Sequence, residues 1–110
     1  MDITKMTGCF EDEHYKVYYL NGVLHREDGP AVDTIAQQGW FINGKRHRED
    51  GPACIKLAGE MLWYLNDEEV SWQEVYRNAK TAEQRVSILI HASADPSNLD
   101  DIIALTTLLP

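Results

Sequence analysis

The chain has only two cysteines, Cys9 and Cys54, and they do not form a C-x-x-C pair. Two thiols so far apart in the sequence argue against a disulfide framework, so we expect both to be reduced. Long apolar runs are missing too: the longest, 102–109, contains two threonines and is far too short to cross a bilayer. Because residues 1–15 hold no apolar run that could act as a signal peptide, we expect a cytoplasmic protein with no membrane contact.

Catalytic signatures are also missing from the sequence. It contains no G-x-S-x-G motif, no G-x-G-x-x-G motif and no P-loop, and neither cysteine stands in a recognisable activating context. The glycines mark turns. We therefore expect a protein that is not an enzyme and that uses no cofactor.

Positive charge is scarce, since ten lysines and arginines face 18 aspartates and glutamates, for a net charge of −8. Phosphate binding needs a basic patch, so we expect no direct binding to nucleic acid or to an anionic membrane. The acidic residues are interleaved with arginine and lysine and do not form a tail. Such a chain is compatible with a basic partner or with imitation of nucleic acid, although solubility alone is the simpler explanation.

What the sequence does contain is an internal repeat. Residues 18–33 (YYLNGVLHREDGPAVD) and 40–55 (WFINGKRHREDGPACI) are offset by 22 positions, and nine of the sixteen aligned residues are identical. A third, incomplete copy begins at 63–66 (WYLN), where Asp67 replaces the glycine and the HREDGPA segment is missing. A match of this length in register indicates a tandem repeat of one structural unit.

Each copy reads as a β-hairpin followed by a second reversal. An aromatic-rich strand reaches Asn-Gly, a pair typical of tight hairpins because both residues accept positive φ. The later Asp-Gly-Pro segment predicts a second turn, in which the Asp side chain bonds the backbone ahead of it and Pro blocks the ladder. We expect the next turn at Gln38-Gly39 in one copy and at Ala58-Gly59 in the other. The residues to which we assign a structural role in the repeat are Asn21, Gly22, His25, Arg26, Asp28, Gly29, Pro30, Asn43, Gly44, His47, Arg48, Asp50, Gly51 and Pro52.

Aromatic residues alternate along the predicted strands. Because side chains alternate between faces along a strand, Tyr18, Trp40 and Trp63 share one face, and their neighbours Tyr19, Phe41 and Tyr64 share the other. We expect one face to be covered and the other to be partly exposed. The second set is thus a candidate binding surface, although cross-strand stacking alone would also explain it.

Beyond Val70 the periodicity becomes helical. Ser71–Glu74 and Thr81–Gln84 fit capping boxes, and Asp95-Pro96 is typical of a third helix start. Apolar residues follow each start at helical spacing. The sequence therefore predicts three short helices, which we expect to pack on one face of the sheet.

Together these patterns predict an α+β fold. It consists of an antiparallel β-meander of tandem 22-residue hairpin repeats followed by a C-terminal cluster of three short helices. The length of 110 residues suits one domain, 1–110, with the repeat sheet at about 9–66 and the helical part at 71–110.

The segments NGVLHREDGPA and NGKRHREDGPA, each preceded by paired aromatics, resemble a repeat found in many small phage, prophage and giant-virus proteins. That repeat reads W-Y-x-N-G-x-x-H-R-x-D-G-P-A and is distantly related to the MORN repeat. The resemblance covers roughly residues 15–66 and does not extend to the helical tail. It implies β-hairpin repeats and a setting in a phage or mobile element, and it implies no reaction. MORN proteins are often membrane-associated or scaffolding, but this acidic chain lacks the basic surface that lipid binding needs.

The repeated histidines allow two interpretations. His25 and His47 could ligate a metal with Asp28 and Asp50, or act as general bases. They are copies of one element, however, and repetition is typical of a residue that stabilises the repeat. We therefore expect a structural role and no metal, with Arg26 and Arg48 paired to nearby carboxylates.

The leading functional hypothesis is a phage- or mobile-element-encoded inhibitor of a host defence nuclease complex of the anti-CRISPR or anti-restriction type. Such complexes bind nucleic acid through basic grooves, and an acidic surface would dock there with electrostatic assistance. The expected partner is thus a host protein. The candidate binding residues are two acidic clusters and the second aromatic set: Glu11, Asp12, Glu13, Tyr19, Phe41, Tyr64, Asp67, Glu68 and Glu69.

Two alternatives from other classes stay open. A repeat module could associate with a second copy through a sheet edge, as a homodimer or larger assembly. A metal-dependent enzyme built on the His and Asp pairs is the other. Concentration-dependent mass in solution would favour the first, and stoichiometric metal would favour the second.

Overall fold

Strands occupy the first two thirds of the chain and helices the last third. The computed structural model describes residues 6–107, and within them an antiparallel meander is followed by short helices, which confirms the predicted α+β class. The strands are β1 Gly8–Glu11, β2 Tyr15–Leu20, β3 Val23–Leu24, β4 Val32–Thr34, β5 Gln37–Gly39, β6 Phe41–Ile42, β7 Lys45–Arg46, β8 Cys54–Lys56, β9 Met61–Leu65 and β10 Glu68–Val70. The helices are α1 Trp72–Arg77, α2 Ala82–Ser93 and α3 Leu99–Thr107, with a 3-10 turn at Pro96–Asn98.

The strands form one long sheet and one separate two-stranded sheet. Among the described residues, the sheet runs in the order β1-β2-β4-β5-β8-β9-β10, with β3 paired to β2, and every pairing is antiparallel. The β6–β7 hairpin is a separate two-stranded sheet. Consecutive pairing of this kind places β1 and β10 at opposite edges of the sheet, with the repeat stacked between them.

The Asn-Gly turns adopt the conformation that their residues predict. Asn21 and Gly22 have φ of 50° and 83°, and Asn43 and Gly44 have 50° and 79°. In the third copy Asn66 keeps φ at 51°, and its neighbour Asp67 also lies in the left-handed region, at 69°. Both central residues of such a turn need positive φ, so the three hairpins share one geometry.

One predicted turn is wrong. Gln38 and Gly39 lie in β5, where Gly39 is buried and pairs with Val32 on one side and Cys54 on the other. The chain has already turned before them, because the Thr34 hydroxyl accepts hydrogen bonds from the backbone N–H groups of the two residues that precede Gln38. The corresponding turn at Ala58-Gly59 is present, with Gly59 at φ 93°.

Each histidine of the repeat binds the hairpin turn of the next copy. The backbone N–H of Asn43 donates to Nδ1 of His25 at 2.9 Å, and that of Asn66 donates to Nδ1 of His47 at 3.0 Å. The first turn has a substitute, since the Asn21 N–H donates to the hydroxyl of Thr7 at 2.9 Å. The copies are therefore joined by the same contact each time. An imidazole that accepts at Nδ1 must carry its proton on Nε2.

Replacing His47 by alanine should lower the free energy of unfolding by about 1–2 kcal/mol, because the Asn66 N–H loses its acceptor. His47→Asn should recover part of that loss, since its side-chain oxygen can accept near the position of Nδ1. Chemical denaturation of both variants measures the difference. Equal destabilisation by the two would show that ring packing, and not the hydrogen bond, matters at this position.

An arginine organises the Asp-Gly-Pro segment of each copy. In the second copy the Arg48 guanidinium lies 3.9 Å from the Trp40 ring centroid, and it donates to the Asp50 carboxylate at 2.9 Å and to the Pro52 carbonyl at 3.0 Å. In the first copy Arg26 makes the equivalent contacts with the Tyr18 ring, the Asp28 carboxylate and the Pro30 carbonyl. The ion pairs expected for both arginines are present. The aspartates were expected to bond the backbone ahead of them, but each accepts from the arginine two residues earlier.

The glycine of this segment leaves room for the arginine, and its own φ does not lie in the left-handed region. A Cβ built on Gly51 would stand 2.7 Å from Cζ of Arg48, and one on Gly29 would stand 2.8 Å from Cζ of Arg26. Real Cβ contacts are essentially never that short. Arginine, aspartate and glycine therefore act as one unit, which explains why they recur together in the sequence.

The helices begin close to where the sequence places them. Thr81 and Gln84 form the predicted capping box of α2. At α1 only half of the predicted box is present: the Ser71 hydroxyl accepts from the Glu74 N–H, but the Glu74 carboxylate contacts Arg77 instead of returning to Ser71. An exposed arginine one turn away is the stronger partner for a carboxylate.

The main core lies where the helices meet β9. Ile88 and Ala92 of α2 pack with Trp72 and Val75 of α1 and with Trp63 of β9, and all five are buried. The helices thus cover the predicted face at Trp63, whereas the Tyr18 and Trp40 rings on the same face are stacked by Arg26 and Arg48. The neighbour of Trp63 in β9, Tyr64, belongs to the opposite face of the sheet.

Candidate functional site

The first acidic cluster, Glu11–Glu13, lies at the turn between β1 and β2. All three residues are exposed, but each has a contact within the turn, since the Glu13 carboxylate lies 3.4 Å from Nε2 of His14. The Asp12 carboxylate accepts from the N–H groups of His14 and Tyr15 at 2.8 and 3.1 Å, and Glu11 is 3.8 Å from the ammonium of Lys16. This cluster therefore serves the turn as well as the surface charge.

The second acidic cluster, Asp67–Glu69, lies at the turn between β9 and β10. Asp67 accepts from Nε of Arg46 at 3.0 Å, and this hydrogen bond holds the pKa of the Asp67 carboxyl below its usual value. Glu68 and Glu69 are exposed and form no ion pair within residues 6–107. The freely available charge of this cluster is thus carried by the two glutamates.

The fold does not bring the two clusters together. One borders β1 and the other borders β10, at opposite ends of the strand order. With neighbouring strands about 4.8 Å apart, the six intervals between them separate the clusters by roughly 30 Å. They are two candidate contact sites, each on its own edge.

One of the three aromatic residues predicted to be partly exposed is buried. Tyr64 is only 8% exposed, so the prediction is wrong for this residue. Tyr19 and Phe41 are half-buried; the Tyr19 ring packs edge-on against Phe10 at 6.1 Å. Arg46 explains the burial of Tyr64, because its guanidinium lies 4.4 Å from the centroid of that ring.

Phe41 and Tyr64 line a groove on the sheet face turned away from the helices. Its volume is about 520 Å³. The Phe41 ring approaches Gly39 so closely that a Cβ there would stand 3.0 Å from it. Sequence reasoning found three of the lining residues: Phe41, Tyr64 and Asp67. It missed Arg46, Cys54 and Lys56, which a position-by-position comparison of the two copies would have singled out as differences.

Cys54 is half-buried in this groove. Its thiol lies 3.6 Å from the side-chain oxygen of Gln37, and burial raises the pKa of the thiol above its ordinary value. A raised pKa lowers the thiolate fraction and so disfavours nucleophilic chemistry. Cys9, on β1, is exposed.

Most basic side chains of the described region are neutralised by carboxylates of the same chain. The arginines of the repeat contribute three such pairs, lysines contribute three more, and Arg77 of α1 contributes the seventh. The ion pairs are Lys16–Glu11, Arg26–Asp28, Arg46–Asp67, Arg48–Asp50, Lys56–Glu60, Arg77–Glu74 and Lys80–Glu49. Seven of the nine lysines and arginines within residues 6–107 are thus paired, so carboxylates predominate among the charged side chains of this region that remain unpaired.

The repeated histidines and aspartates form hydrogen bonds with different partners. His25 and His47 use Nδ1 on the hairpin turns, whereas Asp28 and Asp50 bind arginine. Within residues 6–107, no three side chains of His, Cys, Asp or Glu come together as a possible metal-binding group. No helix in the same region combines the length and apolar character needed to cross a membrane.

Comparison with protein-family models, with curated proteins and with solved structures gives no match to this chain.

Proposed function

We propose that this protein is a non-enzymatic acidic module that binds a basic surface of a partner protein. The observation that carries the proposal is the internal neutralisation of the basic residues. Since seven arginines and lysines are paired within the chain, unpaired carboxylates such as Glu68 and Glu69 dominate the charge seen by a partner. Complementary charge speeds docking and selects among partners.

The biological setting that we propose is inhibition of a host defence nuclease complex by a phage or mobile element, in the host cytoplasm. Two considerations support it. The repeat resembles those of small phage proteins, and nucleases that bind DNA or RNA carry the basic grooves that an acidic module fits. The interleaved arginines argue against strict imitation of a nucleic-acid duplex, so we place the contact at one acidic edge.

Affinity capture from a host bacterial lysate tests this proposal. The bait is the wild-type chain or one of two charge-reversed variants, Glu11→Lys with Glu13→Lys and Glu68→Lys with Glu69→Lys. We expect the wild type to capture one stoichiometric partner, identified by mass spectrometry, that rising salt releases because salt screens exposed charges. We expect one variant to lose that partner, which identifies the binding edge.

A third variant is the matched control. Glu83→Lys with Asp100→Lys changes the net charge by the same amount on the exposed surface of α2 and α3, and it should retain the partner. Capture that is unchanged in both edge variants would contradict the proposal. Equal weakening in all three would show that only overall charge matters.

Self-association is a second candidate, favoured by β1. All four residues of this strand are exposed, and within the described region its outer edge pairs with no other strand. Unpaired edges of this kind accept another strand. Light scattering across a concentration series would reveal it as a rising mass without any host protein.

A further inference from the structure

The groove on the open face has the dimensions and floor of a small-molecule site. Its volume of about 520 Å³ falls within the range of about 300–1,000 Å³ typical of ligand pockets. The floor is apolar: the half-buried Phe41 ring and Leu62 side chain lie beside the buried Ala53, while the Tyr64 ring is covered by Arg46. A flat apolar body can lie on such a floor.

The polar residues of the groove are positions at which the copies of the repeat differ. Arg46 and Lys56 stand where the first copy has Leu24 and Thr34, and Cys54 stands where it has a valine. The first copy forms the same hairpin and the same turn with its own residues. The repeat geometry therefore does not require Arg46 or Lys56, and their meeting in one groove calls for another explanation.

Two cationic side chains line the groove. Arg46 and Lys56 lie there, and each has a carboxylate partner: Nε of Arg46 is 3.0 Å from Asp67, and the Lys56 ammonium is 3.7 Å from Glu60. An anion at this place would therefore bind donor groups that these pairs leave free.

Arg46 is held in position for such an anion. Its Nε donates to Asp67 at 3.0 Å, its Nη1 donates to the Tyr64 hydroxyl at 3.3 Å, and its plane lies over the Tyr64 ring. Its Nη2 has no hydrogen-bond partner within residues 6–107. A fixed guanidinium with a spare N–H group is a ready donor to a carboxylate.

We propose that this groove binds a small aromatic carboxylate of one or two rings. The rings lie on Phe41 and Leu62, and the carboxylate accepts from Arg46, with Lys56 adding charge at the rim. The groove borders the second acidic cluster through Asp67, but its lining contains none of the glutamates varied above, so this proposal does not rest on the partner proposed above.

Amide NMR titration with naphthoate, and with the neutral naphthamide as its matched ligand, tests the proposal. We expect shifts centred on Gly39, Ala53 and Leu62, and about tenfold tighter binding of naphthoate, because a hydrogen bond to a charged group contributes about 1.5–3 kcal/mol. Arg46→Leu, which installs the residue of the first copy, should remove this preference. Lys45→Val removes the same charge one residue away, outside the groove lining, and should leave the preference intact.

Cys54 supplies a second measurement that does not depend on the Arg46 variant folding. In a Cys9→Ser background, naphthoate should slow the modification of Cys54 by a thiol reagent, whereas naphthamide should do so only at about tenfold higher concentration. Equal affinity for the two ligands, shifts outside the groove, unhindered modification of Cys54, or equal losses in Arg46→Leu and Lys45→Val would each overturn the proposal.

Discussion

Replacing Ile88 by alanine is expected to lower the free energy of unfolding by about 2–5 kcal/mol. The side chain is fully buried among Trp63, Trp72 and Val75, at the place where α1 and α2 meet β9. Its removal leaves a cavity that surrounding rings cannot fill without moving. Urea denaturation followed by tryptophan fluorescence measures the loss, because two of the three tryptophans line this core.

The same helix offers a matched control for that experiment. Ile90 lies two residues further along and is 64% exposed. Ile90→Ala removes the same atoms from a solvent-facing position, so stability should change by no more than about 0.5 kcal/mol. If Ile90→Ala cost as much as Ile88→Ala, the core described around Trp63 would be wrong, or Ile90 would be covered in solution.

Removal of Arg48 is the second change with a large expected effect. Arg48→Ala should cost about 3 kcal/mol, because the side chain is only 12% exposed and combines charged hydrogen bonds with stacking on Trp40. Arg48→Lys should not restore stability, since an ammonium cannot bind Asp50 and the Pro52 carbonyl together in the planar fork geometry. Thermal and urea unfolding measure both variants.

Alanine variants of two other arginines serve as comparisons for this result. Arg26 makes the equivalent contacts in the first copy but is 27% exposed, so Arg26→Ala should cost less than Arg48→Ala. Arg77 is 66% exposed on α1, and its removal should change stability little. If Arg77→Ala destabilised as strongly as Arg48→Ala, general charge balance and not the contacts within the repeat would account for the loss.

The features that the sequence predicts best are those that depend only on a short segment of the chain. The Asn-Gly turns and the capping box at Thr81 follow from the conformational preferences of two to four neighbouring residues. Both are present in the structure. The α+β class also follows from local patterns, because hydrophobic periodicity changes once, near Val70.

The sequence did not allow us to predict contacts between residues that are far apart along the chain. Tyr64 is buried because Arg46, eighteen positions earlier, stacks on its ring. Gly39 belongs to a strand because Val32 and Cys54 pair with it from both sides. The groove likewise depends on three copies meeting, so no single copy reveals its lining.

The histidine contact gives the repeat array a direction. Each Asn-Gly turn is closed by the copy before it, and the first one is closed by Thr7, with the Met6 carbonyl accepting from the Gly22 N–H. Each copy thus supplies the histidine that closes the turn of the next copy, and its own turn is closed by the copy before it. Duplicating one 22-residue unit in the middle of the chain would therefore supply every contact that the added unit requires. The array could thus be lengthened by whole 22-residue units, while the contact at Thr7 and the C-terminal helices stay unchanged.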